Sequence, residues 1–262
     1  MLNLQIKIVG LLCSAAMLHP AAFAQSKITG KPSQATMNYI QALRAANFDL
    51  ADQFLNDGAD INCDGCAGDP VLFLEWVGVS SKSPTRWLLE RKANPNLFSK
   101  SLGQTAFQSW IYTVVVPDIG WGSPISSTRN QEFVEIVDAY TSAGANFKLA
   151  DRAGNTLLHY LGRGANAYNH AFSTTARQNF IFAMETFIEN GVDINQANRM
   201  GMTPLMHAAG TCNIPALQYF IAKGARKEMK TKDGRQAWDF AKAKALEGDK
   251  SCNEVIDFLK PT

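Results

Sequence analysis

The chain has 262 residues, 46% hydrophobic, 10% aromatic and 18% charged, an ordinary globular composition that excludes collagen, a disordered chain and a disulfide-dense miniprotein. Lys plus Arg number 25 against 23 Asp plus Glu, a net +2, so the strongly basic balance of a nucleic-acid binder is missing. No run of about 18 apolar residues suggests a membrane span.

Residues 1–24 read as a secretory signal. Lys7 is their only charge, an apolar run from Ile8 to Leu18 follows, and Ala22-Phe23-Ala24 precedes Gln25. A basic start, a short apolar core and a small-x-small ending suit a signal peptidase, so cleavage is expected between Ala24 and Gln25. The mature chain would keep 262 − 24 = 238 residues. Residues 25–36 are expected to form a polar linker and residues 37–260 the folded domain. Export would place the protein in the bacterial periplasm or outside the cell. There the four remaining thiols, Cys63, Cys66, Cys212 and Cys252, favour disulfides over metal ligation.

The folded part repeats itself. One short ending recurs at Asp57-Gly58-Ala59-Asp60-Ile61-Asn62, Arg91-Lys92-Ala93-Asn94-Pro95-Asn96, Ala143-Gly144-Ala145-Asn146, Asn190-Gly191-Val192-Asp193-Ile194-Asn195 and Lys223-Gly224-Ala225. Each follows an apolar helical pattern such as Trp87-Leu88-Leu89 or Tyr219-Phe220-Ile221, and glycine there is a left-handed helix stop. A second glycine follows each ending, at Gly68, Gly103, Gly154, Gly201 and Gly234, with intervals of 35, 51, 47 and 33. The two markers keep step.

These residues resemble the ankyrin repeat, a unit of about 33 residues made of a β-turn and two antiparallel helices. Gly201-Met202-Thr203-Pro204-Leu205-Met206-His207-Ala208-Ala209 is close to the family pattern Gly-x-Thr-Pro-Leu-His-x-Ala-Ala. Gly154-Asn155-Thr156-Leu157-Leu158-His159 is a second copy and Gly103-Gln104-Thr105-Ala106-Phe107 a weaker one. The physics is visible beside the resemblance: Thr caps a helix that begins with Pro, and small Ala residues allow close packing. The resemblance implies an all-α solenoid of about six helix-turn-helix units, with degenerate first and last units as caps. It places His159 at the family's His position, where the ring bonds neighbouring turns, and His207 one place later as a packing residue. Stacking of units would bring Cys212 to Cys252, leaving Cys63–Cys66 to close a local Asp-Gly turn. A redox pair would want a helix N-terminus, and zinc two further ligands; neither is visible.

Against the 33-residue period the third and fourth units carry about 18 and about 14 extra residues. The surplus is expected between inner and outer helix, near Val114 to Asn130 and near Arg163 to Arg177. Units stack in register, so Trp121, Tyr168, His170 and Phe172 would share one lobe, either a partner-binding patch or two loops packing on each other. Charge is uneven as well. Seven acids and no base lie between Ala45 and Ser81, and eight bases against three acids between Lys223 and Lys244.

Catalytic signatures are missing: there is no Gly-x-Ser-x-Gly elbow, no phosphate loop with Lys and no His-Glu-x-x-His. The reading is a non-enzymatic, exported protein-binding module, monomeric when free, without metal or cofactor. Its partner would be a protein, an envelope or secreted enzyme, and neither nucleic acid nor membrane. The resemblance points to an inhibitor or immunity protein that neutralises a secreted effector such as a phospholipase. Two alternatives stand beside it: an accessory protein supporting an envelope enzyme such as a catalase, and a hydrolase with a site at His170 in the inserted loops.

Overall fold

The computed structural model describes residues 31–63, 69–76, 84–115, 127–164, 174–248, 250 and 252–260. The compact unit that holds its helices runs from Pro32 to Thr262. Helices come in pairs. Unit one is α1 (Gln34–Arg44) and α2 (Phe48–Asn56), and unit two is a 3-10 helix (Val71–Trp76) with α3 (Pro84–Glu90). Units three and four are α4 (Ala106–Val115) with α5 (Ser127–Ser142), and α6 (Leu157–Arg163) with α7 (Thr174–Glu189). Units five and six are α8 (Pro204–Gly210) with α9 (Ile214–Ala222), and α10 (Ala237–Leu246) with α11 (Cys252–Leu259). Among the described residues the only strand-like pairing is an isolated bridge between Phe98 and Thr105. No helix there is long and apolar enough to cross a membrane.

Two rows result. The first helices pack in the order α4, α6, α8, α10, while α3, α5 and α7 make the outer row, joined beyond it by α9 against α11. The inner row is tight because its facing residues are small: Ala208, Ala209, Ala237 and Ala241 are buried. At Gly162 a Cβ would stand 2.5 Å from the Pro204 carbonyl oxygen, so α6 reaches α8 only without a side chain there. Leu158, Leu161, Leu205, Phe187 and Phe220 fill the space between the rows.

The repeated sequence endings have a common chemistry. Asp60, Asn94, Asn146 and Asp193 each accept through Oδ1 the backbone N–H two residues on, at 2.8–3.1 Å. The asparagine two places later then reaches the next unit. Asn62 Oδ1 accepts from Asn94 N at 2.6 Å, Asn96 Oδ1 from Asn146 N at 2.7 Å, and Asn195 Oδ1 from Arg226 N at 2.9 Å. Lys148 occupies that place after unit three, and there the ladder skips a rung.

Turns within units repeat too. Ala46 and Cys212 take φ of 52° and 53°, and the asparagine after each, Asn47 or Asn213, caps the outer helix by accepting from Leu50 N or Ala216 N.

Two boundaries differ from expectation. Helix α1 begins inside the segment read as linker, because Ser33 Oγ accepts the Thr36 N–H at 3.1 Å and caps it. The surplus of units three and four also is not all loop. Helices α5 and α7 each run 16 residues, against 9 for α2 and α9. Neither Gly nor Pro occurs between Ser127 and Ser142 or between Thr174 and Glu189, so nothing stops the outer helices from growing.

Candidate functional site

Each inner helix from unit three onward opens with the same device in different residues. The third helical residue accepts the backbone N–H of the capping residue. Gln108 Oε1 accepts from Thr105 N at 2.9 Å, and His159 Nδ1 from Thr156 N at 3.0 Å. Met206 Sδ stands 3.4 Å from Thr203 N, and Asp239 Oδ2 accepts from Gln236 N at 2.7 Å. Gln and His carry a second group, and both use it on the next unit: Gln108 Nε2 donates to Leu149 O at 2.8 Å, and His159 Nε2 faces Met202 O at 3.0 Å. Because Nδ1 is an acceptor, Nε2 must carry the proton of His159. Met206 has no donor to offer unit six, and between those units Cys212 is bonded to Cys252 with Cα atoms 5.0 Å apart. A covalent tie stands where the polar one is lacking.

His159 and His207 are held neutral. Burial lowers His159 to about 4, with its Met202 bond and Asp151 pulling the other way. Burial, then the neighbouring His159 and Arg163, lowers His207 to about 3. Their rings meet edge to face at 5.5 Å, and His207 Nε2 is buried without a partner. Neither ring has an acid–base pairing of the kind general catalysis needs. No group of three His, Cys, Asp or Glu able to hold a metal occurs among the described residues.

Beside them Tyr160 Oη donates to Asp151 Oδ2 at 2.7 Å and lies 3.0 Å from Gln104 Oε1. Burial and then the Asp151 bond hold its hydroxyl above the ordinary tyrosine range. Tyr112, half-exposed on α4, meets Tyr160 edge to face at 6.0 Å. Arg163 is exposed on α6.

The turns that lead into the inner helices form a second row. Their backbones are tied in sequence: Arg152 N donates to Gly103 O at 2.8 Å, Arg199 N to Ala153 O at 2.9 Å and Lys232 N to Met200 O at 3.1 Å. At Gly201 φ is +83° and a Cβ would lie 2.8 Å from Lys232 N, so both conformation and close approach demand glycine. Lys100, Arg152, Arg199 and Lys232 stand exposed on four consecutive tips, with Leu102 and Met200 also exposed.

A family model described as ankyrin repeats in many copies matches residues 176–221. The match spans the outer helix of unit four, the turn and the pair of unit five. Residues 176–221 match ankyrin repeats, and the paired helices on either side continue the same helical array. A chain of a solved structure, described as a predatory endopeptidase from Bdellovibrio bacteriovorus in complex with an immunity protein, has a similar fold. The TM-score is 0.54 and the identity 21%, over 86% of this chain and 99% of that one.

Within the helical array the expected residues fall as follows. Trp121, Tyr168, His170 and Phe172 lie outside the described residues, as do Cys66 and the cleavage pair Ala24 and Gln25. Cys63 is disulfide-bonded, and Cys212 and Cys252 form the bridge already given. The acidic stretch is partly answered locally: Arg91 Nε and Nη2 donate to Asp52 at 2.5 and 2.6 Å, with the guanidinium 3.9 Å over the Trp87 ring. Ser99 and Ser101 donate to Asp69. What the sequence reading missed is the row of bases at the tips. Their signal is a base two or three residues before Gly103, Gly154, Gly201 and Gly234, visible once units are aligned on those glycines rather than on helix apolarity.

Proposed function

We propose that this protein is an exported, non-enzymatic inhibitor or immunity protein that binds and neutralises a secreted enzyme, a phospholipase or another hydrolase. The observation that carries the reading is the array itself. Its two histidines on the inner helices are walled in and neutral, while its turns present a continuous tied edge to solvent. Such an edge offers a partner contact without offering a substrate any chemistry. The structural neighbour supports the same direction, since the complex it comes from pairs an endopeptidase with an immunity protein. The amino-terminal sequence supports export, and the Cys212–Cys252 bridge fits an oxidising compartment.

The test is to produce the full chain with its amino-terminal segment in a bacterium. The protein is then recovered from the periplasmic fraction and partners captured on it are identified by mass spectrometry. A secreted enzyme that loses activity on adding the purified chain is the expected result. Recovery from the cytosol alone, or hydrolysis by the purified chain that His170→Ala abolishes, would overturn the reading.

A further inference from the structure

The row of tips is more than a count of bases. Arg152, Arg199 and Lys232 are exposed, and no ion pair among the described residues engages them. The acids nearest along the chain are already occupied. Asp151 accepts from Tyr160 Oη and from Asn155 N and Nδ2, and Asp233 accepts from Thr231 Oγ1 and from Arg235 Nε at 2.7 Å. The neutral donors leave the Asp151 charge in place beside Arg152, while Arg235 pairs Asp233. Arg152, Arg199 and Lys232 together thus keep a net positive charge, held in register by the backbone bonds between neighbouring tips.

Apolar residues alternate with that charge. Leu102 is 54% exposed and Met200 61%, each one residue before the glycine of its tip. Exposed large apolar side chains beside cations suit a surface that offers carboxylates and apolar contacts together. A phosphate backbone offers charge at even spacing and nothing for Leu102 or Met200 to bury against. A long polyanion would also be repelled by Asp49, Asp57 and Asp60 in the first unit and its following turn.

We infer that the tips of the turns opening units three to six form a docking edge for an acidic, partly apolar protein surface, with Arg152, Arg199 and Lys232 meeting carboxylates and Leu102 and Met200 meeting apolar side chains. The inference rests on the protein-binding reading above and specifies the partner's chemistry. Electrostatic pairing of this kind raises the rate of encounter and is weakened by salt.

The probe is a fluorescein-labelled synthetic peptide of repeated Glu-Glu-Leu, titrated against the full chain by fluorescence anisotropy. A repeated Lys-Lys-Leu peptide and an oligo-dT of equal charge serve as comparisons. The acidic peptide should bind at least about tenfold more tightly than either comparison, and more weakly as salt rises from low to physiological strength. Arg152→Glu/Arg199→Glu/Lys232→Glu should weaken it by about tenfold or more, and Leu102→Ser/Met200→Ser by a smaller factor. Arg152 Nη2 also donates to Lys100 O at 3.0 Å, so the triple variant should lose a little thermal stability. Arg199→Glu/Lys232→Glu and Leu102→Ser/Met200→Ser should instead unfold as the native chain does and still bind more weakly. Absence of binding, equal binding of oligo-dT, or unchanged binding by the triple variant overturns the inference. These failures are separate from those of the function: a triple variant that still inhibits a captured enzyme sinks the edge and leaves the inhibitor. An acidic peptide bound with no enzyme captured does the reverse.

Discussion

Replacing His159 by glutamine isolates the acid sensitivity of the array. The native protein already uses glutamine for this task, since Gln108 accepts from Thr105 N and donates to Leu149 O as His159 does with Thr156 and Met202. His159→Gln thus keeps both bonds and removes a titrating group. In the folded chain His159 and His207 stay neutral down to about 4 and about 3, whereas the unfolded rings protonate near 6.5. A lowered folded pKa means that the stabilisation is complete above the unfolded value. It is lost as pH falls from about 6.5 towards 4 and 3, while the unfolded state gains protons that the folded state refuses. Each ring contributes about 1.4 kcal/mol of lost stability per pH unit in that window. Between pH 7.5 and 5.5 the pair therefore removes about 3 kcal/mol, a sizeable share of an ordinary domain's stability. Urea unfolding at a series of pH values measures it. His159→Gln should match the native chain within about 1 kcal/mol at pH 7.5 and lose about half of the fall. A variant that keeps the full fall, or one already crippled at pH 7.5, would refute the assignment of the two bonds and of the neutral ring.

Other outcomes follow from the same geometry. Cys252→Ser should cost up to about 4 kcal/mol, since the bridge closes a sequence separation of 40 residues, and hydrogen exchange in α10 and α11 should rise first. Gly201→Ala should cost more than Gly224→Ala. Both glycines have positive φ, but only at Gly201 does a Cβ strike backbone, and the difference should be about 1–3 kcal/mol in urea midpoints. Lys148→Asn should gain up to about 1 kcal/mol by supplying the missing rung, because Lys148 N already bonds Asn146 Oδ1 as Asn62 N bonds Asp60 Oδ1. A loss at that site would show that the ladder cannot be continued.

The repeat was legible because its markers are conformational. A glycine at positive φ leaves the same letter at the opening of units three to six, at Gly103, Gly154, Gly201 and Gly234. The opening device of the inner helices was legible only at His159. Gln108, Met206 and Asp239 do the same job with unlike residues, and what they share is an acceptor at a fixed place rather than a residue type. The length of α5 and α7 was hidden for another reason. Their first turns, Ser127–Glu132 and Thr174–Asn179, are polar, so they show no apolar stripe by which a helix is read. The exposed tips left no trace in any helical period, because they belong to turns.

The inner helices keep to between 7 and 10 residues from unit three to unit six while two outer ones reach 16. Among the described helices of units three to six, the large differences in length thus lie in the outer row. The back of the array can be lengthened or remodelled by mutation without shifting a single rung at the front. Selection acting on the front in turn leaves the back alone. Two surfaces on one spine can diverge at different speeds, and a lineage can exchange one target for another while its scaffold stays in step.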